Sequence, residues 1–454
     1  MTTSQPRSMV STLLTFIIPS LIGVFLFMIP IPWDGQIKIT VAILADMLRQ
    51  SVAPFSNTLL LIIISITAIM SLLMTVVQPK ALFDKPLLRH LFVVTPTWLV
   101  VRLIGMVFVV MTYFEIGHEA IYSDATGAFV LVELLPLLLS VFILAGFLLP
   151  LLLNFGLLEL VGTLFTKIMH PLFGVPGRSA VNCAASWLGD GSVGILMTAR
   201  QYEEKHYTQK EAAIIGTTFS AVSITFCFVV IGQVGLEHLF APFYLTVCLA
   251  GVVCALILPR IPPLSLKKHV YIDGDTQSHD NESVPENKGL WRQSLDMALD
   301  KARHAKGVKG TVEEGMHNAL DMVFAVLPVV MAVGTFALLI SEHTPVFQWL
   351  GKPFIPYLEF LGVPEAVKAS ETIVVGFADM FIPSILAASN IDSEVTRFII
   401  AAMSVTQLIY MSEVGALLLG SKIPVNVFEL FVIFILRTLI SLPIITLMAN
   451  WLVA

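Results

Sequence analysis

The chain has 454 residues, 56% hydrophobic and only 13% charged, and its 26 Lys and Arg against 32 Asp and Glu leave a net charge of −6. A soluble domain sits nearer 45–50% apolar and about 25% charged. The composition therefore excludes a soluble globular enzyme and a basic nucleic-acid binder, and implies a polytopic membrane protein.

In chain order, the apolar runs that reach the roughly 20 residues of a spanning helix are 10–31, 56–78, 91–113, 128–154, 211–235, 241–259, 320–341, 394–419 and 425–449. They predict an all-α fold with about nine full transmembrane helices. The first run is too long for a signal-peptide core and lacks a small-residue cleavage site, so a retained helix is expected. Stretches 36–50, 157–170 and 345–361 are shorter and amphipathic, and read as interfacial helices. Stretches 178–200 and 366–390 are apolar but interrupted by glycine and polar residues. Cys183, Cys227, Cys248 and Cys254 all lie in apolar runs and read as buried thiols.

Loop charge sets the orientation. Loops 79–90 and 260–318 are rich in Lys and Arg, whereas 114–126 holds Glu115, Glu119 and Asp124 with no Lys or Arg. The positive-inside rule places the first two in the cytoplasm and the third outside. The N-terminus is then cytoplasmic and the C-terminus extracytoplasmic, in a bacterial-type inner (plasma) membrane. Residues 271–290 read as a polar tether and 291–318 as a charged amphipathic helix on the cytoplasmic surface.

One arrangement is written twice. Gly174-Val175-Pro176 and Gly362-Val363-Pro364 each precede an interrupted segment, and each segment precedes an apolar helix opening on a capped acidic residue, Thr208 to Glu211 and then Ser393-Glu394. Each copy makes an odd number of crossings, so the second is expected inverted. The expected division is an N-terminal three-helix membrane segment (1–127), a first repeat (128–259), a cytoplasmic linker (260–318) and an inverted second repeat (319–454). Paired interrupted segments at matching places in two halves point to a secondary transporter with two re-entrant hairpins that meet near the midplane.

The interruptions carry the candidate chemistry. Asn182 and Ser186 share one helix face, and Gly189-Asp190-Gly191-Ser192 then breaks the helix. The freed backbone groups find no partner in lipid. A half-helix start near Ser192 suits an anion and the carbonyl end near Leu188 a cation; a kinked helix packed through small residues is the plain alternative. In the second segment Ser370-Glu371-Thr372 ends a polar turn, and Asp379 lies between Gly376 and Pro383. Ionisable residues in a membrane cost at least about 2.5 kcal/mol and are functional by default. The following helices carry Thr217, Ser220 and Ser223, then Ser404, Gln407, Tyr410 and Ser412-Glu413. Ser and Thr there serve as interhelical glue or as ligands; Glu413 has an alternative in pairing with Arg437.

The expected substrate shell is thus Asn182, Ser186, Asp190, Ser192, Ser370, Glu371, Thr372, Asp379 and Gln407. The expected cation-coupling residues are Asp190, Ser223, Glu371, Asp379 and Glu413, with Na⁺ or H⁺ as the coupling ion and no other cofactor. Arg102 either pairs with a neighbouring helix or snorkels. Gly189 to Gly194 fits G-x-G-x-x-G but lacks the strand a dinucleotide site requires, and no metal spacing, P-loop or nucleophile elbow is present, so an enzyme is not expected.

Gly174-Val175-Pro176-Gly177, Gly189-Asp190-Gly191-Ser192, Thr208-Gln209-Lys210-Glu211-Ala212 and Ala369-Ser370-Glu371-Thr372 through Asp379 resemble the Gate-domain (nucleoside-recognition) membrane proteins, and within them the YjiH-like group. The resemblance covers about 128–450 and leaves out the first three helices. It implies a fold related to concentrative nucleoside transporters, ferrous-iron permeases and spore-maturation membrane proteins. In the nucleoside transporters, hairpin tips and the following helices hold substrate and a coupling cation. Their Gln-Thr-Glu-like motifs match only at Ser370-Glu371-Thr372, so the substrate does not carry over. The expectation is an ion-coupled symporter of a small polar solute (nucleoside, peptide or amino-acid-like, or organic anion) working by alternating access. A passive channel or ion permease and a non-transporting assembly or signalling protein are the alternatives. The expected partners are the solute, the lipid bilayer and further copies of the chain, with no nucleic acid.

Overall fold

The computed structural model describes residues 9–453 except 34, 35, 80, 81, 83, 189, 190, 220, 221, 223 and 277–289. Its N-terminal part comprises α1 (Met9–Met28), the antiparallel strands β1 (Pro30–Trp33) and β2 (Gln36–Ile39), α2 (Thr40–Val52), α3 (Ser56–Leu72), α4 (Pro86–Phe92) and α5 (Pro96–Phe114). The interfacial helix expected at 36–50 is therefore half right. Pro30 and Pro32 have no N–H for a helix and the β-branched Ile31, Ile37 and Ile39 suit a strand, so 36–39 pairs with 30–33. The remainder continues through a 3₁₀ turn into α3, making one long apolar segment, Thr40–Val77.

The next part holds α6 (Leu135–Leu153), entered through a π turn at Phe129–Leu134, then α7 (Leu157–Phe173), α8 (Ser179–Leu188), α9 (Gly191–Glu203), α10 (Gln209–Ile214), α11 (Ile224–Gln233) and α12 (Phe240–Ile257). After α13 (Leu290–Arg303) comes the same order again. It runs α14 (Gly307–His343), the short α15 (Val346–Gly351) and α16 (Ile355–Phe360), then α17 (Ala366–Ile373), α18 (Ile382–Asn390), α19 (Glu394–Gln407), α20 (Val414–Gly420) and α21 (Val427–Leu452). In both runs a long helix precedes amphipathic helix, helical hairpin, broken helix and long helix. Both Gly-Val-Pro turns begin on a left-handed glycine, Gly174 at φ 68° and Gly362 at φ 72°, the conformation that ends a helix without a Cβ penalty.

Seven helices among the described residues are long and apolar enough to cross a membrane: Met9–Phe27, Thr40–Val77, Pro96–Phe114, Phe129–Leu153, Glu237–Arg260, Gly307–His343 and Val427–Leu452. The other two expected spans, 211–235 and 394–419, are broken. The first is α10, a π turn at Ile215–Phe219 and α11; the second is α19, an unwound stretch beginning at Leu408 (φ 62°), and α20. Hydropathy counts side chains and does not register where the backbone leaves the helix. The linker helix expected at 291–318 also divides. Its second part is the start of α14, and α13 docks through Ala298, Leu299 and Ala302 onto Phe16 and Leu160. Lys301 and Arg178 both approach Glu159, at 3.8 and 3.2 Å.

Helices α6 and α14 form the centre: two-thirds of their most apolar windows are buried, against 28% for α1 and α5. They cross on small residues. A Cβ on Gly146 would lie 2.8 Å from Ala319, and one on Gly315 2.4 Å from the carbonyl of Phe147, the close backbone approach that small residues permit between membrane helices. Farther along, Gly334 faces Val130. Residues 130 and 147 thus sit against 334 and 315, so the leading helices of the two runs are antiparallel.

Candidate functional site

Both interrupted segments fold back on themselves. In the first hairpin, α8 and α9 are joined across their arms. Asn182 donates from Nδ2 to Thr198 Oγ1 (3.0 Å) and accepts from Gln201 Nε2 (2.8 Å), while Thr198 donates to the Gly194 carbonyl (2.7 Å). Gly194 packs directly on Ser186. Trp187 donates to the Phe219 carbonyl at the end of the π turn (3.2 Å), which ties the hairpin to the broken helix after it.

The second hairpin is closed at its base and unwound at its tip. At the base, Glu365 Oε1 accepts from the backbone N–H groups of Asp392 (3.0 Å) and Ser393 (2.8 Å). Between α17 and α18 the chain leaves the helix after Ile373, passes through a 3₁₀ turn at Val375–Phe377 and re-enters at Ile382. This stretch lies beside the unwound part of the next helix. Met411 N–H donates to the Phe377 carbonyl (2.8 Å) and Ser412 N–H to the Ala378 carbonyl (2.9 Å). Two helix breaks thus satisfy each other's backbone, which is how irregular chain survives away from water.

Asp379 sits in this crossing. It is buried, with Oδ2 accepting from Ser412 Oγ (2.7 Å) and Oδ1 from Phe381 N–H (2.8 Å). Directly before the break, Gln407 donates from Nε2 to the Ile373 carbonyl (3.0 Å) and to Thr438 Oγ1 (2.9 Å). Its Oε1 is buried against Gly376 and has no partner among the described residues. A buried polar atom left unpaired in a satisfied surrounding calls for an explanation, and a bound solute or ion is one. Arg437 completes the centre. It is 2% exposed and donates from Nε to the Thr406 carbonyl (2.9 Å) and from Nη1 to the Thr217 carbonyl (3.2 Å). It therefore holds the broken helix of the first run to that of the second.

A protein of Alkalihalophilus pseudofirmus, described as uncharacterized protein BpOF4_10220, is 47% identical over 437 residues, covering 96% of this chain and 94% of its own length. A family model described as Gate, nucleoside recognition, matches residues 135–237. Residues 135–237 therefore carry a Gate domain, and the chain belongs to one family with the Alkalihalophilus protein. No solved structure matches the chain. The Gate match runs from α6 through the first hairpin into α11 and its following turn, and the same element order recurs beyond it from α14 to α21.

Within this architecture the expected site residues separate. Asp379 and Gln407 come together with Ser412 at the second break. Asn182 and Ser186 are inside the first hairpin, where they hold its arms together; Ser192 is buried at the start of α9. Asp190 and Ser223 lie outside the described residues. Ser370 and Thr372 are buried but donate to carbonyls three residues back on α17, and the Ser370 carbonyl packs on Gly351, away from the break. Glu371 is exposed. The helical period sets it on the face of Val367 and Lys368, so the structure does not bring it to Asp379. Glu413 is half-buried and accepts from Tyr410 Oη (3.2 Å), and Arg437 binds two carbonyls instead of Glu413. Sequence reasoning missed Arg437 as a central residue. The signal was available: an arginine midway along an uninterrupted apolar run needs buried acceptors, and broken helices supply unpaired carbonyls.

Proposed function

We propose that this membrane protein is a secondary transporter whose two halves, 128–259 and 319–454, are inverted repeats. A small polar solute crosses between re-entrant hairpins by alternating access, driven by coupled Na⁺ or H⁺. The antiparallel α6 and α14 support the inversion, since equivalent helices of an inverted pair must oppose each other. The single observation that carries the reading is the meeting of two unwound segments, 374–381 and 408–413, around a buried carboxylate and an unpartnered carboxamide oxygen. Discontinuous helices of this kind bind substrate and ion near the midplane of secondary transporters. Asp379 is the leading cation-coupling group, with Gln407 and Ser412 facing the solute. Residues 260–318 and the N-terminus are cytoplasmic, in an inner membrane.

The test is uptake by proteoliposomes under imposed Na⁺ or H⁺ gradients, across nucleosides, amino acids, peptides and organic acids. Accumulation that follows one gradient is expected. Uptake that only equilibrates makes the protein a channel, and no uptake of any solute removes transport. Cysteines placed at Ser192 and Asp379 should react from opposite faces; labelling of both from the same face ends the inverted arrangement.

A further inference from the structure

Away from the hairpin crossing, a cavity of about 300 Å³ lies where the N-terminal part meets the two runs. Its walls come from α4, α5, α9, α14 and the chain after α20. None of the site residues discussed above lines it. Its charged members are Arg102, Arg200, Lys422, Glu203 and Asp321, with His90 at the edge. Glu203 lies 3.5 Å from Lys422 and 3.6 Å from Arg200; Asp321 lies 3.3 Å from His90 Nε2. Arg200 also reaches Glu204 at 2.9 Å. Each carboxylate of the lining thus has a partner within reach, two cations for Glu203 and an imidazole nitrogen for Asp321.

Arg102 is the exception. It is 5% exposed, and among the described residues no carboxylate lies within ion-pair distance. Both of its hydrogen bonds leave from Nη1, to Ser71 Oγ (2.6 Å) and the Leu91 carbonyl (3.1 Å). The edge formed by Nε and Nη2 has no partner among the described residues. A guanidinium taken out of water without a counter-charge is costly, and its planar fork fits a carboxylate through two parallel N–H bonds. On α14, which also lines the cavity, Asn318 is 2% exposed, and neither Nδ2 nor Oδ1 has a hydrogen-bond partner among the described residues. The rest of the surface is mainly apolar, including Trp98, Leu196, Met322 and Val326.

We propose that this cavity binds a small monocarboxylate with a short apolar tail, its carboxylate on the free edge of Arg102 and a further polar atom on Asn318. One unmatched guanidinium calls for one negative charge, which favours a carboxylate over a phosphate dianion. The three donors His90, Glu203 and Asp321 come within 4.8 Å of one another, but three cations line the same space and oppose a divalent metal there.

The test uses the full chain in detergent, with hexanoate as probe, read by thermal shift and titration calorimetry. Saturable stabilisation by hexanoate is expected, with none by hexanol. Asn318→Leu removes a side chain that bonds nothing among the described residues, so it keeps the fold. It should weaken hexanoate binding about tenfold or more, a loss of at least about 1.4 kcal/mol. Arg102→Gln should do the same where it folds. The proposal is overturned if hexanoate does not bind, if hexanol binds equally, if hexyl phosphate binds more tightly, or if Asn318→Leu leaves hexanoate affinity unchanged. Stabilisation by MnCl₂ that disappears in His90→Ala, with no response to hexanoate, also overturns it. Asp379→Asn should leave hexanoate binding intact, so failure of the hairpin site and failure of this cavity are read separately.

Discussion

The two hairpins have the same place in their runs but are held in different ways. The first is closed from within: Asn182, Thr198 and Gln201 bond its arms to each other and Gly194 lets them touch. In the second, no side-chain hydrogen bond joins α17 to α18 among the described residues, and the Lys368–Asp392 pair, 3.9 Å apart, lies at the base. This hairpin is clamped at its base by Glu365, and its tip is held by the next helix through Met411, Ser412 and Gln407. A hairpin that satisfies its own polar groups behaves as a rigid piece. A hairpin whose tip is satisfied by a neighbour moves only with that neighbour, or by breaking those bonds. The buried carboxylate sits in the second, at the joint.

The largest way to break this contrast is Asp379→Asn. If the second tip is the ion-coupling joint, gradient-driven uptake should fall by about ten- to a hundredfold, the equivalent of losing one charge-assisted hydrogen bond in the working site. Insertion and thermal unfolding should change little, because the Asn oxygen still accepts from Phe381 N–H and its Nδ2 donates to Ser412 Oγ, a hydroxyl that takes either role. Glu371→Gln, on the exposed face of α17, serves as the paired control and should leave uptake unchanged. Equal losses in both variants would return Glu371 to the site.

Arg437→Met tests what joins the two runs. It leaves the Thr406 and Thr217 carbonyls buried without donors. Bonds to charged groups are worth about 1.5–3 kcal/mol each, so a loss of roughly 3 kcal/mol is expected. A thermal midpoint within a degree of the parent would mean that the halves are joined elsewhere. Asn182→Leu should act more weakly. Interhelical hydrogen bonds inside membranes average about 0.6 kcal/mol and reach about 1.7, and the substitution removes two. A loss of about 1 kcal/mol with transport retained fits a hairpin brace; normal stability with lost transport would make Asn182 a ligand.

Much of the fold was legible because it is written in residue types. The doubled Gly-Val-Pro turn needs a left-handed glycine, and Thr208 with Glu211 forms the capping box its spacing implies, both partners in place. Glycine and aspartate in an apolar run marked the breaks. The two broken spans were less legible, since Leu408, Ile409, Tyr410 and Met411 are as apolar as any helix. What unwinds them is the neighbouring hairpin, a tertiary partner that no local pattern reports. Glu371 misled for a related reason. Its neighbours Ser370 and Thr372 are buried, and only the helical phase of α17 tells which of the three faces out.

The smallest effect concerns the base of the second hairpin and is read by pH. Glu365 accepts from Lys368 Nζ at 2.6 Å and from the Asp392 and Ser393 N–H groups. The bond from Lys368, followed by that from Ser393 N–H, holds its carboxyl below the usual carboxylate range. A lowered folded value means that the unfolded segment binds its proton first. The clamp's contribution is therefore whole above the ordinary glutamate value of about 4.3 and is lost only as pH falls through the lower folded value. Exchange protection of the Asp392 and Ser393 amides should hold from neutral pH down to about 5 and decline only in more acidic solution. Glu365→Gln should lower protection at neutral and mildly acidic pH and remove the acid dependence. Protection that already collapses at mild acidity would show that the base is held by something other than this carboxylate, and the contrast between a braced first hairpin and a clamped second one would then lose its lower half.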